Sequence, residues 1–137
     1  MKRISFLLIL SLLAMLFCGC GEEALTVEEY EWELIWAVKT DLDSLENQEL
    51  SFKNVFMTAE NGLITIRDGE GKTYSGVYIE RGRNIDGYDY TLTIGGFSGH
   101  ATVANTTYHG GEKIPTLPIA ITRGNEQYTL KFQPKAP

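Results

Sequence analysis

Ser98 and His100 are the residues of this chain that come nearest to a catalytic pair, within Gly96-Phe97-Ser98-Gly99-His100. A serine activated by a nearby imidazole can act as a nucleophile in acyl transfer. The segment shares its first four positions with the G-x-S-x-G nucleophile turn, which also needs glycine at the fifth position and a helix after the serine. Here the fifth residue is His100, and Ala101 to Tyr108 has a strand pattern. We therefore expect a hairpin turn, and a hydrolase that uses Ser98 and His100 is the alternative.

Residues suited to bind a metal are few. His100 and His109 are the only histidines, and two imidazoles form a poor zinc site unless a carboxylate such as Glu112 joins them. The stretch Asp41 to Ser44 begins like a calcium loop, but an EF-hand needs an oxygen ligand at the fifth position, where this chain has Leu45. We predict no metal site and no cofactor.

Aromatic side chains are the best candidates for a binding pocket. They recur at strand spacing, which brings alternate residues to one face of a sheet. Hydrophobic cores and ligand pockets are both rich in aromatic residues, so both interpretations stay open. If the fold encloses a pocket, we expect the following residues to line it: Trp32, Trp36, Tyr74, Tyr78, Tyr88 and Tyr90.

The N-terminal residues carry the strongest functional signal. Lys2 and Arg3 precede an almost wholly apolar run from Ile4 to Phe17. This run is too short for a permanent bilayer span and has the order of an export signal. Gly19, a small residue, stands directly before Cys20. Together these residues resemble the signal peptide and lipobox of bacterial lipoproteins.

The resemblance implies cleavage before Cys20 and a diacylglycerol on its sulfur. Residues 1–19 would then be a signal peptide, 20–27 a lipidated tether and 28–137 a single domain. Two or three acyl chains anchor a protein stably, whereas one does not. We expect a location at the cell membrane or outer membrane, with the domain facing the periplasm or the exterior. An ordinary secretory signal and an uncleaved N-terminal anchor are the alternatives.

Charge and cysteine content restrict the partners of the processed chain. Cleavage leaves 118 of 137 residues and removes Lys2 and Arg3, so 10 basic residues face 18 acidic ones and the net charge is −8. Such a surface repels phosphate backbones, and we predict no nucleic-acid partner. Cys18 is lost with the signal, which leaves Cys20 alone and permits no intramolecular disulfide. The domain must therefore depend on its hydrophobic core.

Most of the chain has the pattern of short strands. Apolar residues alternate with polar ones, and glycine-containing turns such as Asp68-Gly69-Glu70-Gly71 separate the runs. The clearest alternation spans Tyr88 to Ile94, and Pro118 suggests an edge, an end or a bulge in its strand. The predicted strands are Tyr30 to Val38, Phe52 to Thr58, Leu63 to Arg67, Thr73 to Glu80, Tyr88 to Ile94, His100 to Tyr108, Thr116 to Thr122 and Gln127 to Gln133.

The first of these segments has a competing interpretation. Thr26 and Glu29 form a capping box at the start of a possible helix from Val27 to Leu45. The strict alternation from Tyr30 to Leu34 favours a strand. A polar connection, Asp41 to Glu49, would follow and could hold a helical turn.

These elements predict an all-β fold, a small antiparallel meander of about eight strands. An up-and-down barrel is the favoured architecture, because closure removes exposed edges and eight strands leave room for packed side chains or one small ligand. A β-sandwich and an α+β fold with an N-terminal helix are the alternatives. Trp32, the glycine-rich hairpins and the closing strand Tyr128 to Phe132 resemble lipocalin-like and avidin-like lipoproteins. Tyr30 stands where lipocalins have glycine, so no ligand-binding residue is transferred from that family.

We therefore expect a non-catalytic, lipid-anchored envelope protein with a lipocalin-like domain that binds a small apolar ligand or an envelope protein. One alternative is the hydrolase described above. The other is a protein inhibitor whose active element is the loop Arg81 to Gly87.

Overall fold

The fold consists almost entirely of antiparallel strands. The computed structural model describes residues 25–85, 87–107, 111 and 113–136. Within these ranges a single turn of 3-10 helix, Val27–Glu29, precedes the strands. The strands are β1 Trp32–Asp41, β2 Asn47–Glu49, β3 Phe56–Glu60, β4 Leu63–Arg67, β5 Thr73–Arg83, β6 Tyr88–Ile94, β7 Phe97–Thr102, β8 Ala104–Thr107, β9 Lys113–Arg123 and β10 Glu126–Pro134.

Eight of these strands close an antiparallel barrel. Their order around the wall is β1, β3, β4, β5, β6, β7, β9 and β10, and β10 pairs back onto β1. The short strands β2 and β8 are additions that pair with β1 and β9. Neighbours in the wall therefore follow one another in sequence. The predicted up-and-down barrel is confirmed, and the sandwich and the N-terminal helix are not formed.

Two hairpins have the backbone conformation that their sequences predict. Asn61 and Gly62 join β3 to β4 with φ of 50° and 82°, and Gly95 and Gly96 join β6 to β7 with φ of 55° and 83°. Positive φ at both central residues matches the right-handed twist of the strands on either side. Glycine and asparagine adopt this conformation with little strain.

The N-terminal segment becomes one helical turn followed by a strand. Thr26 precedes the 3-10 turn with extended backbone and makes no side-chain capping bond. Tyr30 is already extended again, and β1 begins at Trp32. The helix that the capping residues predict is therefore only three residues long, because the alternating apolar residues of β1 can be buried only if that segment is a strand.

A β-bulge in β1 reverses the direction of its side chains. Leu34 pairs with Phe132 of β10, and Trp36 pairs with the adjacent residue, Lys131. Ile35 therefore has no partner of its own and is the extra residue of the bulge. After the bulge, Ala37 is buried at 2% exposure, whereas Trp36 lies on the outer face and is 41% exposed. Strict alternation through the four apolar residues 35–38 would have placed Trp36 inside.

Several strand boundaries differ from the sequence-based predictions, and the largest differences are at β3 and at β7 with β8. The strand that is predicted to begin at Phe52 begins only at Phe56. Residues 51–54 are not part of the barrel wall, and the chain is bonded to β1 on either side of them. The amide of Leu50 donates to Ala37, and the amide of Leu34 donates to the carbonyl of Val55. The strand expected from His100 to Tyr108 begins earlier, at Phe97, and divides into β7 and β8.

Pro118 lies opposite the break between β7 and β8. Strand β9 pairs with β8 up to Thr116 and with β7 from Ile119 onward. Proline has no amide hydrogen for a ladder bond, which accounts for an interruption at this position. At the break the amide of Val103 donates to the carbonyl of Tyr88 at 3.1 Å.

Candidate functional site

The two ends of the barrel differ in how they are covered. At the first, called the closed end, lie the β3–β4 and β5–β6 connections and the segment Leu25 to Glu31. At the second, called the open end, lie the β4–β5, β6–β7 and β9–β10 connections. Strand register assigns each connection to its end, because successive strands of a meander run in opposite directions.

The N-terminal segment is bonded into the closed end. The amide of Val27 donates to the hydroxyl of Tyr90 at 3.1 Å, and Trp32 Nε1 donates to the carbonyl of Val27 at 2.8 Å. Val27 is 2% exposed and Trp32 is fully buried. The ring of Tyr30 meets Trp32 edge-on with centroids 5.3 Å apart. The Val27 amide and the Trp32 indole nitrogen, which are buried at the closed end, thus both have hydrogen-bond acceptors within the fold.

Tyr78 and Glu28 form a second contact at the closed end. The Tyr78 hydroxyl donates to the Glu28 carboxylate, and the Tyr78 ring meets the Tyr90 ring edge-on at 5.6 Å. Burial, and then the bond to Glu28, raise the pKa of Tyr78 to about 12. Burial also raises the pKa of Tyr90. Both phenols stay protonated at neutral pH, so they act here as hydrogen-bonding groups and not as bases.

On two strands, inward-facing side chains become more exposed toward the open end. In β5, Tyr78 is 7% exposed, whereas Tyr74, four residues earlier on the same face, is 42% exposed. In β10, Phe132 is fully buried, whereas Leu130 and Tyr128 on the same face are only half-buried. Ile94 of β6 and Ile121 of β9, at the same end, remain buried at 6% exposure, so solvent reaches the inner face on the β5 and β10 sides of the open end. We define the mouth as the inward residues Ile66, Tyr74, Phe97, Tyr128 and Leu130.

Cations lie beside the aromatic residues of the mouth. Phe97 and Tyr128 meet edge-on at 5.3 Å. The Arg123 guanidinium lies 4.4 Å from the centre of the Phe97 ring, and Lys39 Nζ lies 5.9 Å from that of Tyr128. Both cations also approach the Glu126 carboxylate, at 3.8 Å and 3.7 Å. We call these three charged residues, Lys39, Arg123 and Glu126, the rim of the mouth. An apolar surface beside a charged rim is suited to bind an amphipathic molecule.

A surface depression of about 550 Å³ lies at the same end, lined by residues 51–55 and 68–70. Its two sides touch at Gly69, where an added Cβ would lie 2.4 Å from the carbonyl oxygen of Lys53. Glycine is therefore required where the β4–β5 turn meets the segment before β3. The partly buried side chain of Val55 links this depression to the core.

The six aromatic residues proposed from the sequence occupy three different positions. Trp32, Tyr78 and Tyr90 come together at the closed end, and Tyr88 is half-buried at the start of β6. Tyr74 lies in the mouth, and Trp36 lies on the outer face.

The other mouth residues were not proposed as pocket residues. The signal for two of them was present, because alternation in the last strand already directs Tyr128 and Leu130 inward. Sequence pattern alone does not show which end of a barrel the N-terminal segment covers.

The Ser98 and His100 side chains both lie exposed on β7. That strand pairs with β6 on one side and β9 on the other. The turn is confined to Gly95 and Gly96, so the segment is not the strand-to-helix turn that a nucleophile elbow requires. In the acidic stretch, the amides of Asp43 and Ser44 donate to the Asp41 carboxylate, which stabilises a turn.

Several sequence-based predictions fall on residues that the structure leaves undescribed, among them the signal peptide, Cys20 and His109. Within the described part of the chain, no group of three or more histidine, cysteine or acidic side chains has an arrangement that could hold a metal ion. In the same residues, no helix combines the length and the hydrophobicity needed to cross a bilayer.

Comparison with protein-family models, with curated proteins and with solved structures gave no match to this chain. The fold and the geometry of the two ends are therefore the basis for any assignment of function.

Proposed function

We propose that this chain is a lipid-anchored envelope lipoprotein whose barrel is a non-catalytic binding module for a small amphipathic or apolar ligand. Cys20 carries the lipid, and the mouth takes the ligand. A protein partner at the same end is the alternative occupant.

The exposure gradient within the barrel carries this proposal. Tyr74 has 42% of its surface exposed although it shares the inner face with the buried Tyr78. An interior filled by its own side chains at the open end would cover Tyr74 as it covers Tyr78, and an eight-stranded barrel has room for one small ligand instead. Here one end is sealed by the N-terminal segment, and the other presents half-buried apolar side chains beside Lys39 and Arg123.

The rim chemistry narrows the ligand class. Lys39 and Arg123 share a single carboxylate, Glu126, so the local charge of the three groups is positive. Asp41 lies opposite Glu126 at the same end, so Lys39 and Arg123 are local positive charges beside acidic residues in a chain of net charge −6. A molecule with an apolar body and an anionic group would pair with these two cations.

Native mass spectrometry of the full-length protein, purified from its host membranes in mild detergent, tests the binding proposal. Two alanine variants are matched in exposure. Tyr74→Ala removes an inward side chain that is 42% exposed, and Trp36→Ala removes an outward one that is 41% exposed. We expect a non-covalent adduct on the wild type and on Trp36→Ala, and about tenfold lower occupancy on Tyr74→Ala, because an aromatic contact contributes about 1–2 kcal/mol. Equal occupancy in both variants, or no adduct on the wild type, would contradict a ligand site in the mouth.

The anchor is tested separately with Cys20→Ala. This change should abolish incorporation of radiolabelled fatty acid and release the processed domain from membranes. Labelling that persists in the variant would refute the assigned attachment site. Neither result depends on whether the mouth binds a ligand.

A further inference from the structure

We propose that the closed end of the barrel rests against the bilayer through its β5–β6 side, with the Ile85 side chain in the headgroup region. This orientation rests on the proposed lipid anchor at Cys20. It leaves the mouth at the end facing away from the membrane.

The N-terminal segment joins the barrel beside the β5–β6 connection. Leu25 forms a parallel bridge with Gly87 in the β5–β6 connection. An added Cβ at Gly87 would lie 2.8 Å from the carbonyl oxygens of Leu25 and Val103, so the segment is packed closely there. Four residues stand between Cys20 and Leu25, and five fully extended steps span about 17 Å between the Cα atoms of these two residues. The β5–β6 connection, which Leu25 contacts, is therefore held close to the acylated residue.

The same connection carries an exposed apolar side chain. Ile85 is 96% exposed, the largest exposure among the described large hydrophobic residues. Its flanking residues are bonded to each other, because the amide of Asn84 donates to Gly87 O and the amide of Gly87 donates to Asn84 Oδ1, both at 2.8 Å. An isoleucine that is presented to solvent two residues from the tether contact fits a membrane interface.

Apolar residues also lie exposed on the adjoining wall. Leu63, the β4 partner of Val77, pairs with Glu60 on its other side and so adjoins the acidic residues. Val77 and Ile79 lie on the outer face of β5 and are 47% and 53% exposed. We define the membrane strip as Val77 and Ile79 together with Ile85. It runs from the wall of the barrel to the loop beside the tether.

The β5–β6 side of the closed end carries two arginines together with the acidic residues Glu80 and Asp89. Arg81 and Arg83, both exposed, lie at the end of β5 next to Ile85. Arg81 Nε donates to the Thr91 hydroxyl, and within the described residues neither arginine belongs to one of the ion pairs. Guanidinium groups bind phosphate oxygens well, so this side suits lipid headgroups.

A cluster of four acidic residues lies on the other side of the same end. A groove of about 520 Å³ beside β3 is lined by residues 28–31 and 58–61 and carries Glu28, Glu29, Glu31 and Glu60. Like charge repels these carboxylates from an anionic lipid surface. The barrel should therefore lean on β5 and turn the β3 side toward water.

Cysteine content makes this orientation measurable. In the processed chain Cys20 is the single cysteine, and acylation blocks it, so an introduced cysteine is the one site that a thiol-reactive probe can label. Three variants each place an environment-sensitive fluorophore at a different position. They are Ile85→Cys on the strip, Glu60→Cys on the acidic side of the same end, and Leu45→Cys at the open end, where Leu45 is 73% exposed.

The lipidated variants are reconstituted into phosphatidylethanolamine–phosphatidylglycerol vesicles and separated by flotation. We expect all three to float, with a blue-shifted emission that doxyl-labelled lipid quenches at position 85, and with a water-like, unquenched emission at positions 60 and 45. If position 85 is as unquenched as position 45, the orientation is overturned while the anchor stands. Equal quenching at positions 85 and 60 would overturn the assignment of side. Failure of all three to float would refute the anchor, and the orientation with it.

Discussion

Trp36 and Tyr74 are equally exposed, at 41% and 42%, but they lie on opposite faces of the barrel wall. Trp36 pairs with Lys131 on the outer face, after the bulge at Ile35. Tyr74 shares the inner face of β5 with Tyr78. Exposure on the inner face means that solvent contacts Tyr74 at the open end, whereas exposure on the outer face is ordinary for a barrel surface.

The two tryptophans should differ in their access to a collisional quencher. Trp32 is fully buried and Trp36 is 41% exposed, so Trp36→Phe should leave a blue-shifted emission that acrylamide quenches weakly. The wild type should show a second, readily quenched component. The measurement is a Stern–Volmer series on both proteins, with denatured samples as the reference for full access. A strongly quenched Trp36→Phe variant would contradict the buried position of Trp32.

Removal of the Trp32 side chain should destabilise the domain strongly. Trp32→Ala opens a cavity in the core and deprives the Val27 carbonyl of its donor, and we expect a loss of about 3–5 kcal/mol in the free energy of unfolding. Trp36→Ala, the matched control on the outer face, should cost less than about 1 kcal/mol. Urea unfolding of the two variants measures the difference, and equal losses would be inconsistent with the closed end as described.

Stability should fall in alkaline solution because of Tyr78. Its pKa is raised to about 12 in the fold from an ordinary value of 10, so between these values the unfolded chain releases the phenolic proton first. This contribution to stability is complete below pH 10 and is lost as pH rises toward 12. Tyr78→Phe should be less stable at pH 8, because it loses the bond to Glu28, and its stability should decline less steeply above pH 10.

Urea unfolding at pH 8, 10 and 11 gives the two slopes. Tyr74→Phe is the control for loss of a hydroxyl from the same strand, and we expect it to change the pH 8 value less than Tyr78→Phe does. Parallel alkaline declines in the wild type and Tyr78→Phe would contradict a raised pKa at Tyr78.

The contact between β7 and β9 should depend on glycine at position 99. An added Cβ at Gly99 would lie 1.8 Å from the Ala120 carbonyl oxygen, so Gly99→Ala must displace the backbone of one strand. We expect a loss of about 1–3 kcal/mol in the free energy of unfolding. Gly82→Ala is the control, because its Cβ would meet nothing within 4 Å, and it should be neutral or slightly stabilising. Thermal unfolding of both variants compares them, and equal melting temperatures would refute the close approach.

The strands could be predicted from sequence where alternation fixes the direction of the side chains. The runs Leu63–Arg67 and Tyr88–Ile94 have the predicted limits as β4 and β6. Each strand buries alternate residues locally, and glycine-rich hairpins set the pairing of neighbours. The all-β meander and its closure follow from these local signals together.

The position of Trp36 could not be predicted in the same way. Residues 35–38 are all apolar, so the sequence carries no record of the bulge that turns Trp36 outward and Ala37 inward. The sequence also did not show which end of the barrel stays open. That depends on the contact between Val27 and Tyr90, which are 63 residues apart in sequence, and no short-range pattern encodes such a contact.

The first and last strands of the barrel are partners, since Trp32 of β1 lies opposite Pro134 of β10. The wall cannot close until β10 is present, because β10 pairs with both β1 and β9. A polypeptide that stops before Glu126 therefore leaves each of these two strands with an unpaired edge. Such edges are templates for pairing with another copy, and joining distant segments is slow. Loss of about a dozen C-terminal residues would therefore convert the closed barrel wall into an open sheet whose free edges favour aggregation.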